Sequence, residues 1–191
     1  MENLNNLKCI KIVTDADLGS TETPLNNPIV RYSARGIVVR NDGKIAVLYK
    51  EKMNEYKLPG GGMDDGEEPA DTFKREIIEE VGCEIDNIKL IGYTEERKSL
   101  TNFKQISFVF TGHVSKDLGE LKLTEKEIGE GSKILWMDPI EALKTIQGCI
   151  DKLKGSPVDE TEGLYATQFI IYRDANILNS YIELTKKLEM Y

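Results

Sequence analysis

The sequence of 191 residues is poor in cysteine, in histidine and in long apolar runs. Its three cysteines, Cys9, Cys83 and Cys149, lie far apart and show neither a metal-binding nor a redox spacing. They are expected to be reduced thiols, which is typical of a cytoplasmic protein. No apolar run approaches the roughly 18 residues that a membrane span needs, and the N-terminus, MENLNNLKCI, lacks the pattern of a secretory signal. We therefore predict a cytoplasmic protein without a membrane partner.

Basic residues are also in short supply, since 25 lysines and arginines face 33 aspartates and glutamates, a net charge of −8. This excess disfavours non-specific binding to the phosphate backbone of a nucleic-acid polymer. A small anionic ligand is compatible with it if a metal ion mediates the contact. The only histidine, His113, falls within a predicted strand, where a structural or exposed role is expected rather than a catalytic one.

What the chain does contain is an ordered succession of strand and helix patterns. Two β-branched runs flank Asn41-Asp42-Gly43 and predict a hairpin. Two later runs, NIKLIGYTEE and KQISFVFTGHV, predict a meander, and KILWM predicts a last strand. Residues 69–81 and the stretch PIEALKTIQGCI predict helices, the second with proline at its first position. The fold class is therefore α+β, with helices flanking a mixed sheet.

These patterns divide the chain into three parts. Residues 1–28 are interpreted as an N-terminal extension with a strand and a loop, and residues 29–150 as the main domain. Residues 151–191 are interpreted as a linker, GSPVDETEG from Gly155 to Gly163, followed by an amphipathic helix. This helix is predicted to pack either on the domain's own core or on the partner in a homodimer.

The helix predicted over 69–81 separates its apolar side chains from its glutamates. At about 100° per residue, the apolar side chains fall within an arc of about 80° and the glutamates within an arc of about 100°. The centres of the two arcs are about 110° apart, so the glutamates line an edge beside the buried face. The apolar stripe comprises Ala70, Phe73, Ile77 and Val81, and the acidic edge comprises Glu76, Glu79 and Glu80.

The acidic edge carries an electrostatic cost. Glu76 and Glu80 stand at i,i+4, where like charges destabilise a helix by roughly a few tenths of a kcal/mol. Arg75 can reach Glu79, but one arginine is not expected to serve three carboxylates, so Glu80→Gln should stabilise the metal-free protein. A solvated acidic face is the simpler interpretation. The preceding glycine-rich stretch, LPGGGMDDGEEP, instead favours a site for a hard divalent cation such as Mg²⁺.

This stretch resembles the signature of the Nudix hydrolase family. The signature runs glycine, five residues, glutamate, seven residues, and then Arg-Glu-apolar-any-Glu-Glu-any-Gly-apolar. Every fixed position is filled, although cysteine is an uncommon apolar choice at the end and Asp64 stands where many relatives carry glutamate. The matching residues are Gly61, Glu67, Arg75, Glu76, Ile77, Glu79, Glu80, Gly82 and Cys83.

The resemblance implies a fold, a cofactor and a reaction. The implied fold is an α/β/α sandwich in which the signature forms a loop, a helix and a second loop. The implied reaction is the hydrolysis, dependent on Mg²⁺ or Mn²⁺, of a nucleoside diphosphate linked to another group. In such chemistry the metal neutralises phosphate charge and activates water, and a glutamate takes the proton, so neither histidine nor cysteine is needed.

The resemblance also implies roles for individual residues. Arg75 would orient the glutamates, and Glu79 would be either a metal ligand or the base. A further carboxylate is expected just before the last strand, with Glu130 as the first candidate and Glu127 as the second, although surface positions suit both equally well. The implied metal ligands are Gly60 through its carbonyl, Glu76, Glu79, Glu80 and Glu130; the implied catalytic residues are Arg75, Glu76 and Glu79; the implied substrate-binding residues are Gly61 and Glu67, the last of which braces the loop. Apart from the resemblance, Arg35 in the first domain strand is a candidate for contact with a substrate phosphate.

Other classes of protein remain open on the sequence alone. A Nudix-fold module that binds a nucleotide or regulates without hydrolysis is the main alternative, and the intact signature argues against it. A phosphate-binding loop of the kinase type would need Gly-Lys-Ser/Thr, whereas Gly66 is followed by Glu67-Glu68. Arg35 and Trp136 also have structural interpretations, as a salt-bridge partner and a core residue. The identity of the small nucleotide-type substrate and the number of metal ions stay open.

Overall fold

The computed structural model describes residues 4–153 and 162–189. Their backbone forms one eight-stranded mixed sheet with helices on both faces. The strands are β1 (Cys9–Thr14), β2 (Ile29–Val39), β3 (Ile45–Lys50), β4 (Glu55–Lys57), β5 (Gly60–Gly62), β6 (Cys83–Lys98), β7 (Phe103–Asp117) and β8 (Ser132–Met137). The α-helices are α1 (Pro69–Glu80), α2 (Glu125–Glu130), α3 (Pro139–Leu153) and α4 (Glu162–Glu189). Short 3-10 turns occupy Leu4–Asn6, Asp15–Leu18 and Glu51–Met53.

The strand order confirms the predicted α+β class. Six strands follow one another as β1-β6-β7-β2-β3-β4, while β5 pairs with β2 and β8 with β3. The predicted meander is present, because β6 and β7 pair antiparallel along nearly their whole length. In contrast, β2 runs parallel to β7, from Ile29 opposite Phe103 to Val39 opposite His113, and β1 runs parallel to β6. These two parallel pairings make the sheet mixed.

The predicted hairpin around Asn41-Asp42-Gly43 is only partly formed. The turn is in place, since the Arg40 amide donates to the Lys44 carbonyl at 2.8 Å, but β2 and β3 pair only at Val39 and Ile45. Strand β7 occupies one edge of β2 throughout, so β3 and β5 must share the other edge. The strands therefore diverge beyond the turn, and the gap admits the glycine-rich strand β5.

Alternation along β2 builds a hydrophobic core on each face of the sheet. Ile37 and Val39 point to the face covered by α3 and α4, and Ala34 and Val38 point to the face covered by α1. The apolar stripe predicted for the first helix is confirmed, because Phe73 and Ile77 are fully buried in this second core. Helix α1 is thus fixed against the sheet by one face, which leaves its glutamate edge beside β5.

Helix α4 is longer than predicted and packs on the sheet of its own chain. Its Tyr165 and Phe169 form a cluster with Val13 of β1, and its second half joins the core shared with α3. The N-terminal strand and the C-terminal helix therefore contact each other as well as the sheet. Most of the predicted linker Gly155 to Gly163 lies outside the described residues, although its last two residues already belong to α4. Within the described ranges, no helix is long and apolar enough to cross a membrane.

We expect Phe169→Ala to lower the free energy of unfolding by about 3–5 kcal/mol, because it empties a fully buried site between α4 and β1. The matched control is Leu184→Ala on the same helix, where the side chain is 42% exposed and the change should stay within about 0.5 kcal/mol. Urea denaturation measures both. Equal effects of the two substitutions, or a midpoint that rises with protein concentration, would contradict packing of α4 on its own domain.

Candidate active site

The glycine-rich strand β5 lies directly against the glutamate edge of α1. Gly60 has φ +133°, and a Cβ there would lie 2.3 Å from the Ala34 carbonyl oxygen. A Cβ on Gly61 would lie 2.3 Å from Oε1 of Glu76. Glycine at both positions therefore lets the strand pair with β2 on one side and receive the carboxylate of Glu76 on the other.

The three glutamates of the acidic edge differ in exposure. The side chain of Glu80 is 5% exposed, that of Glu76 is 13% exposed and that of Glu79 is 41% exposed. Because Glu79 lies on the outer side of the helix, its carboxylate alone of the three has broad access to solvent. The carboxylates of this edge therefore range from buried, in Glu80, to solvent-exposed, in Glu79.

Glu80 is held by two donors that the sequence analysis did not identify. The Gly60 amide donates to Oε2 at 2.7 Å, and Lys57 Nζ lies 3.2 Å from Oε1. Lys57 comes from strand β4, and no local pattern distinguishes it from an ordinary surface lysine. The expectation that Glu80 is an uncompensated charge is therefore wrong, since both of its oxygens face a donor.

Arg75 binds three carboxylates, but only Glu76 and Glu79 belong to the acidic edge, which agrees with the expectation that one arginine does not serve all three glutamates of that edge. Its Nε and Nη2 bind the two oxygens of Glu67, each at 2.9 Å. Its Nη1 donates to Glu76 at 2.8 Å and to Glu79 at 3.3 Å, and its Nη2 also donates to the Gly62 carbonyl at 3.0 Å. A planar guanidinium with several N–H donors can do this because the carboxylates surround it in different directions. Arg75 thus joins the loop, the strand and the helix.

Glu67 bridges the loop and the first turns of α1. Besides Arg75, it accepts hydrogen bonds from the Asp64 amide at 3.0 Å and from Thr72 Oγ1 at 2.7 Å. The hydrogen bonds from Arg75 foremost, helped by those from Asp64 and Thr72, lower the pKa of Glu67 to about 2. The carboxylate is therefore ionised at neutral pH, and its charge is part of what orders the loop.

Glu76 carries the electrostatic cost of the acidic edge. Burial raises the pKa of Glu76, and the neighbouring charge of Glu80 raises it further, while the hydrogen bond from Arg75 acts in the opposite direction. The repulsion predicted from the i,i+4 spacing is thus present, since the charge of Glu80 is the second cause, after burial, of the raised pKa of Glu76.

The donor chemistry of this edge fits a hard divalent cation. Glu76, Glu79 and Glu80 offer carboxylate oxygens on one helix edge, and the backbone of Gly60 lies against it. In residues 4–153 and 162–189, however, no three His, Cys, Asp or Glu side chains already form a group that could hold a metal ion. Lys57 and Arg75 bind the same oxygens, so a cation would have to compete with these two side chains.

The candidates outside the signature have partners of their own. Glu130 forms an ion pair with Lys50 at 2.9 Å, and Lys50 also lies 4.0 Å from the buried Glu55. Glu127 accepts hydrogen bonds from the amide and the hydroxyl of Thr124, both at 2.8 Å, and so caps helix α2. A role of Glu130 or Glu127 as a metal ligand stays a prediction.

The predicted substrate arginine is buried. Arg35 is 6% exposed, and its backbone lies opposite Gly60 in the sheet. Burial, followed by the nearby charge of Arg173, lowers the pKa of Arg35 to about 10, so it stays positive at neutral pH. The exposed arginine beside the loop is Arg31, whose Nη2 lies 2.3 Å from the position of a Cβ on Gly62. Contact of Arg35 with substrate stays a prediction.

Two other side chains that the sequence analysis weighed have structural surroundings. His113 is exposed on β7, whereas the three glutamates of the acidic edge lie on helix α1. Trp136 of β8 is half-buried, and the guanidinium of Arg40 lies 4.9 Å from the centre of its ring. Neither observation adds a catalytic group to the site.

In this site a glycine-rich strand, the loop after it and a helix with a glutamate edge lie on one side of a mixed sheet. This arrangement is typical of one class of proteins. The model of the NUDIX domain matches residues 30–154, which is more than half of the chain. The chain therefore belongs to the Nudix family.

Individual relatives agree with this assignment. The chain is 38% identical over 60 residues to an RNA pyrophosphohydrolase of Ruthia magnifica, a match that covers 31% of this chain and 34% of the relative. It is 27% identical over 125 residues to an RNA pyrophosphohydrolase of Xanthomonas oryzae, covering 55% and 59% of the two chains. A MutT-like protein of Streptomyces ambofaciens is 26% identical over 115 residues, with 60% and 68% covered. The matches thus span less than two thirds of both RNA pyrophosphohydrolases.

Among solved structures, the crystal structure of a MutT protein from Bacillus halodurans is similar to this fold. The TM-score is 0.50 at 25% sequence identity, and the superposition covers 65% of this chain and 80% of that chain. The superposed part of this chain is thus shorter than the part that the structure describes.

We expect Glu67→Gln to lower the Tm at neutral pH, because the folded protein loses an ionised carboxylate bound by Arg75, Asp64 and Thr72. A depressed pKa stabilises the folded state above the unfolded value of about 4.5 and ceases to do so as the pH falls towards about 2. The difference from the unsubstituted protein should therefore shrink across that interval. The control is Glu68→Gln, an exposed neighbour without a capping bond. A difference in Tm that is independent of pH would contradict this account.

The two members of the i,i+4 pair should respond in opposite directions in metal-free protein. Glu76→Gln should raise the Tm at neutral pH, because a raised pKa means that stability is lost as ionisation proceeds. This gain should vanish below the ordinary pKa of glutamate, where Glu76 is protonated anyway. Glu80→Gln should lower the free energy of unfolding by about 1–3 kcal/mol, because it weakens the acceptor of Lys57 and Gly60. Thermal melts in excess chelator measure both, and equal signs would refute the assignment of the cost to Glu76.

Proposed function

We propose that the protein is a pyrophosphohydrolase that depends on a divalent cation, Mg²⁺ or Mn²⁺. The observation that carries the proposal is the packing of Glu76 and Glu80 against Gly60 and Gly61 with Glu79 open beside them. Membership of the Nudix family supports it. The cytoplasmic location and a homodimer remain proposals from the sequence.

The proposed substrate is a nucleoside diphosphate linked to another group. The net charge of −8 favours a small substrate over a long nucleic-acid polymer. The name of two relatives, RNA pyrophosphohydrolase, supports testing an RNA substrate beside the small nucleotides.

The proposed mechanism assigns one task to each side chain of the site. Glu76 and Glu80, with the Gly60 carbonyl, would hold the cation, which when bound neutralises phosphate charge and activates water. Glu79 would take the proton from the attacking water, because its carboxylate is the most exposed of the three. Arg75 would hold Glu76 and Glu79 in place through the bonds that it already makes.

A broad substrate panel tests the proposal. The purified protein with Mg²⁺ or Mn²⁺ should hydrolyse at least one of the nucleoside triphosphates, sugar nucleotides, dinucleotides and 5′-triphosphorylated oligonucleotides. Mass spectrometry of the products should show cleavage between phosphorus atoms of a pyrophosphate linkage. Complete inactivity with both cations, together with binding of a nucleotide, would favour the alternative, a non-catalytic nucleotide-binding or regulatory module.

We expect Glu79→Gln and Glu80→Gln each to reduce kcat by at least about tenfold, through loss of the base and of a cation ligand respectively. The matched control on the same helix is Asp71→Asn, since Asp71 is exposed and pairs only with Lys74 in the contacts described. Steady-state kinetics on the best substrate of the panel measure all three. An unchanged rate for Glu79→Gln would remove Glu79 from the mechanism.

A further inference from the structure

A cluster of charged side chains is buried between helix α4 and the sheet, outside the glutamate edge. It comprises Arg173 and Asp174 of α4, Glu96 and Lys98 of β6, and Arg35 of β2, each less than a tenth exposed. Burying so many charges is expensive unless every one is well paired. The cluster therefore indicates that the space between α4 and the sheet needs charged side chains, which apolar residues could not replace.

The ion pairs of the cluster lead to one carboxylate, that of Asp174, which also binds a backbone amide outside the cluster. Glu96 receives Arg173 Nη1 at 2.5 Å and Lys98 Nζ at 2.7 Å. Arg173 Nε donates to Oδ1 of Asp174 at 2.8 Å, so the charge of Asp174 is matched and its first oxygen is fixed. The second oxygen, Oδ2, accepts the backbone amide of Leu58 at 2.8 Å.

Leu58 lies between strands β4 and β5, two residues before Gly60, the first residue of the strand that carries the site. Pro59, the next residue, accepts the Gly36 amide through its carbonyl at 3.1 Å, and Gly60 then donates its amide to Glu80 at 2.7 Å. Leu58–Gly60 is thus anchored at its first residue by α4, at its second by β2 and at its third by the glutamate edge. Three consecutive residues connect Asp174 to Glu80.

We propose that Asp174, oriented by Arg173, is a positioning residue that fixes Leu58–Gly60 so that the Gly60 amide meets Glu80. A donor fixed in this way selects one orientation of the carboxylate, which is how outer-shell partners tune metal ligands. Asp174 lies beyond the matched NUDIX span of residues 30–154, so this device belongs to the C-terminal helix of this chain. Its consequence for catalysis rests on the proposed function.

The test compares Asp174→Asn with a matched control, Glu183→Gln, in the full chain. Glu183 is an exposed residue of the same helix, in contact with Asn179. In Asp174→Asn, the side-chain amide cannot accept from both Leu58 and Arg173. We expect the Gly60 amide signal in ¹⁵N–¹H spectra to shift in metal-free protein, Mn²⁺ binding to weaken by about tenfold, and kcat to fall more than KM changes. The control should leave all of these unchanged.

Retention of the Gly60 amide frequency and of the Mn²⁺ affinity in folded Asp174→Asn would overturn the proposal and leave Asp174 as a purely structural residue. If Asp174→Asn does not fold, Arg173→Lys is measured in the same way, since it keeps the charge and removes the bond from Nε. A Mg²⁺ titration of the unsubstituted protein adds a test that needs no variant, in which the Leu58 amide should move with the same midpoint as that of Gly60. A Leu58 signal that stays stationary while the Gly60 signal moves contradicts the proposal.

The two proposals fail in different ways. Inactivity of the unsubstituted protein on every nucleotide removes the proposed function, whereas the Gly60 amide signal in Asp174→Asn still decides whether α4 positions Leu58–Gly60.

Discussion

The contact between strand β5 and the glutamate edge of α1 is the constraint on which the rest of the site depends. A side chain at Gly60 would collide with the backbone of β2, and one at Gly61 would collide with the carboxylate of Glu76. The two glycines therefore set the distance between sheet and helix. Strand β5 occupies the space between β2 and α1. The divergence of β3 from β2, the burial of Glu80 and the contacts of Arg75 with the strand all follow from this.

Electrostatics then decides how the carboxylates share this space. Arg75 and Lys57 supply positive charge to the glutamate edge, where Glu80 has a donor at each oxygen, while burial, followed by the charge of Glu80, raises the pKa of Glu76. The same donors hold the glutamates in one arrangement. An acidic edge in an acidic protein is thus stable enough to fold because its charges are locally matched.

Local patterns predicted the parts of this site that lie close together in sequence. The apolar stripe of α1, the glutamate edge beside it and the glycine-rich approach are visible within 23 residues, from Gly61 to Cys83, because helical periodicity and steric demand act over short distances. Lys57 and the burial of Arg35 were not predictable in this way, since both depend on which strands become neighbours. The pairing of β3 with β8 along its whole length, while β3 meets β2 only at Ile45 and Val39, is likewise a long-range outcome.

The buried charged residues of α4 connect the C-terminal helix to the site through a hydrogen bond. An apolar residue at position 174 would leave the Leu58 amide, which lies in a fully buried segment, without its acceptor. A lone aspartate would be costly as well, and Arg173 matches its charge, while Glu96 pairs with both Arg173 and Lys98. The cluster thus gives a buried backbone amide a charged acceptor whose charge is paired. That amide stands two residues before the one that meets Glu80, so the accuracy of the site depends on a helix that lies outside the matched domain.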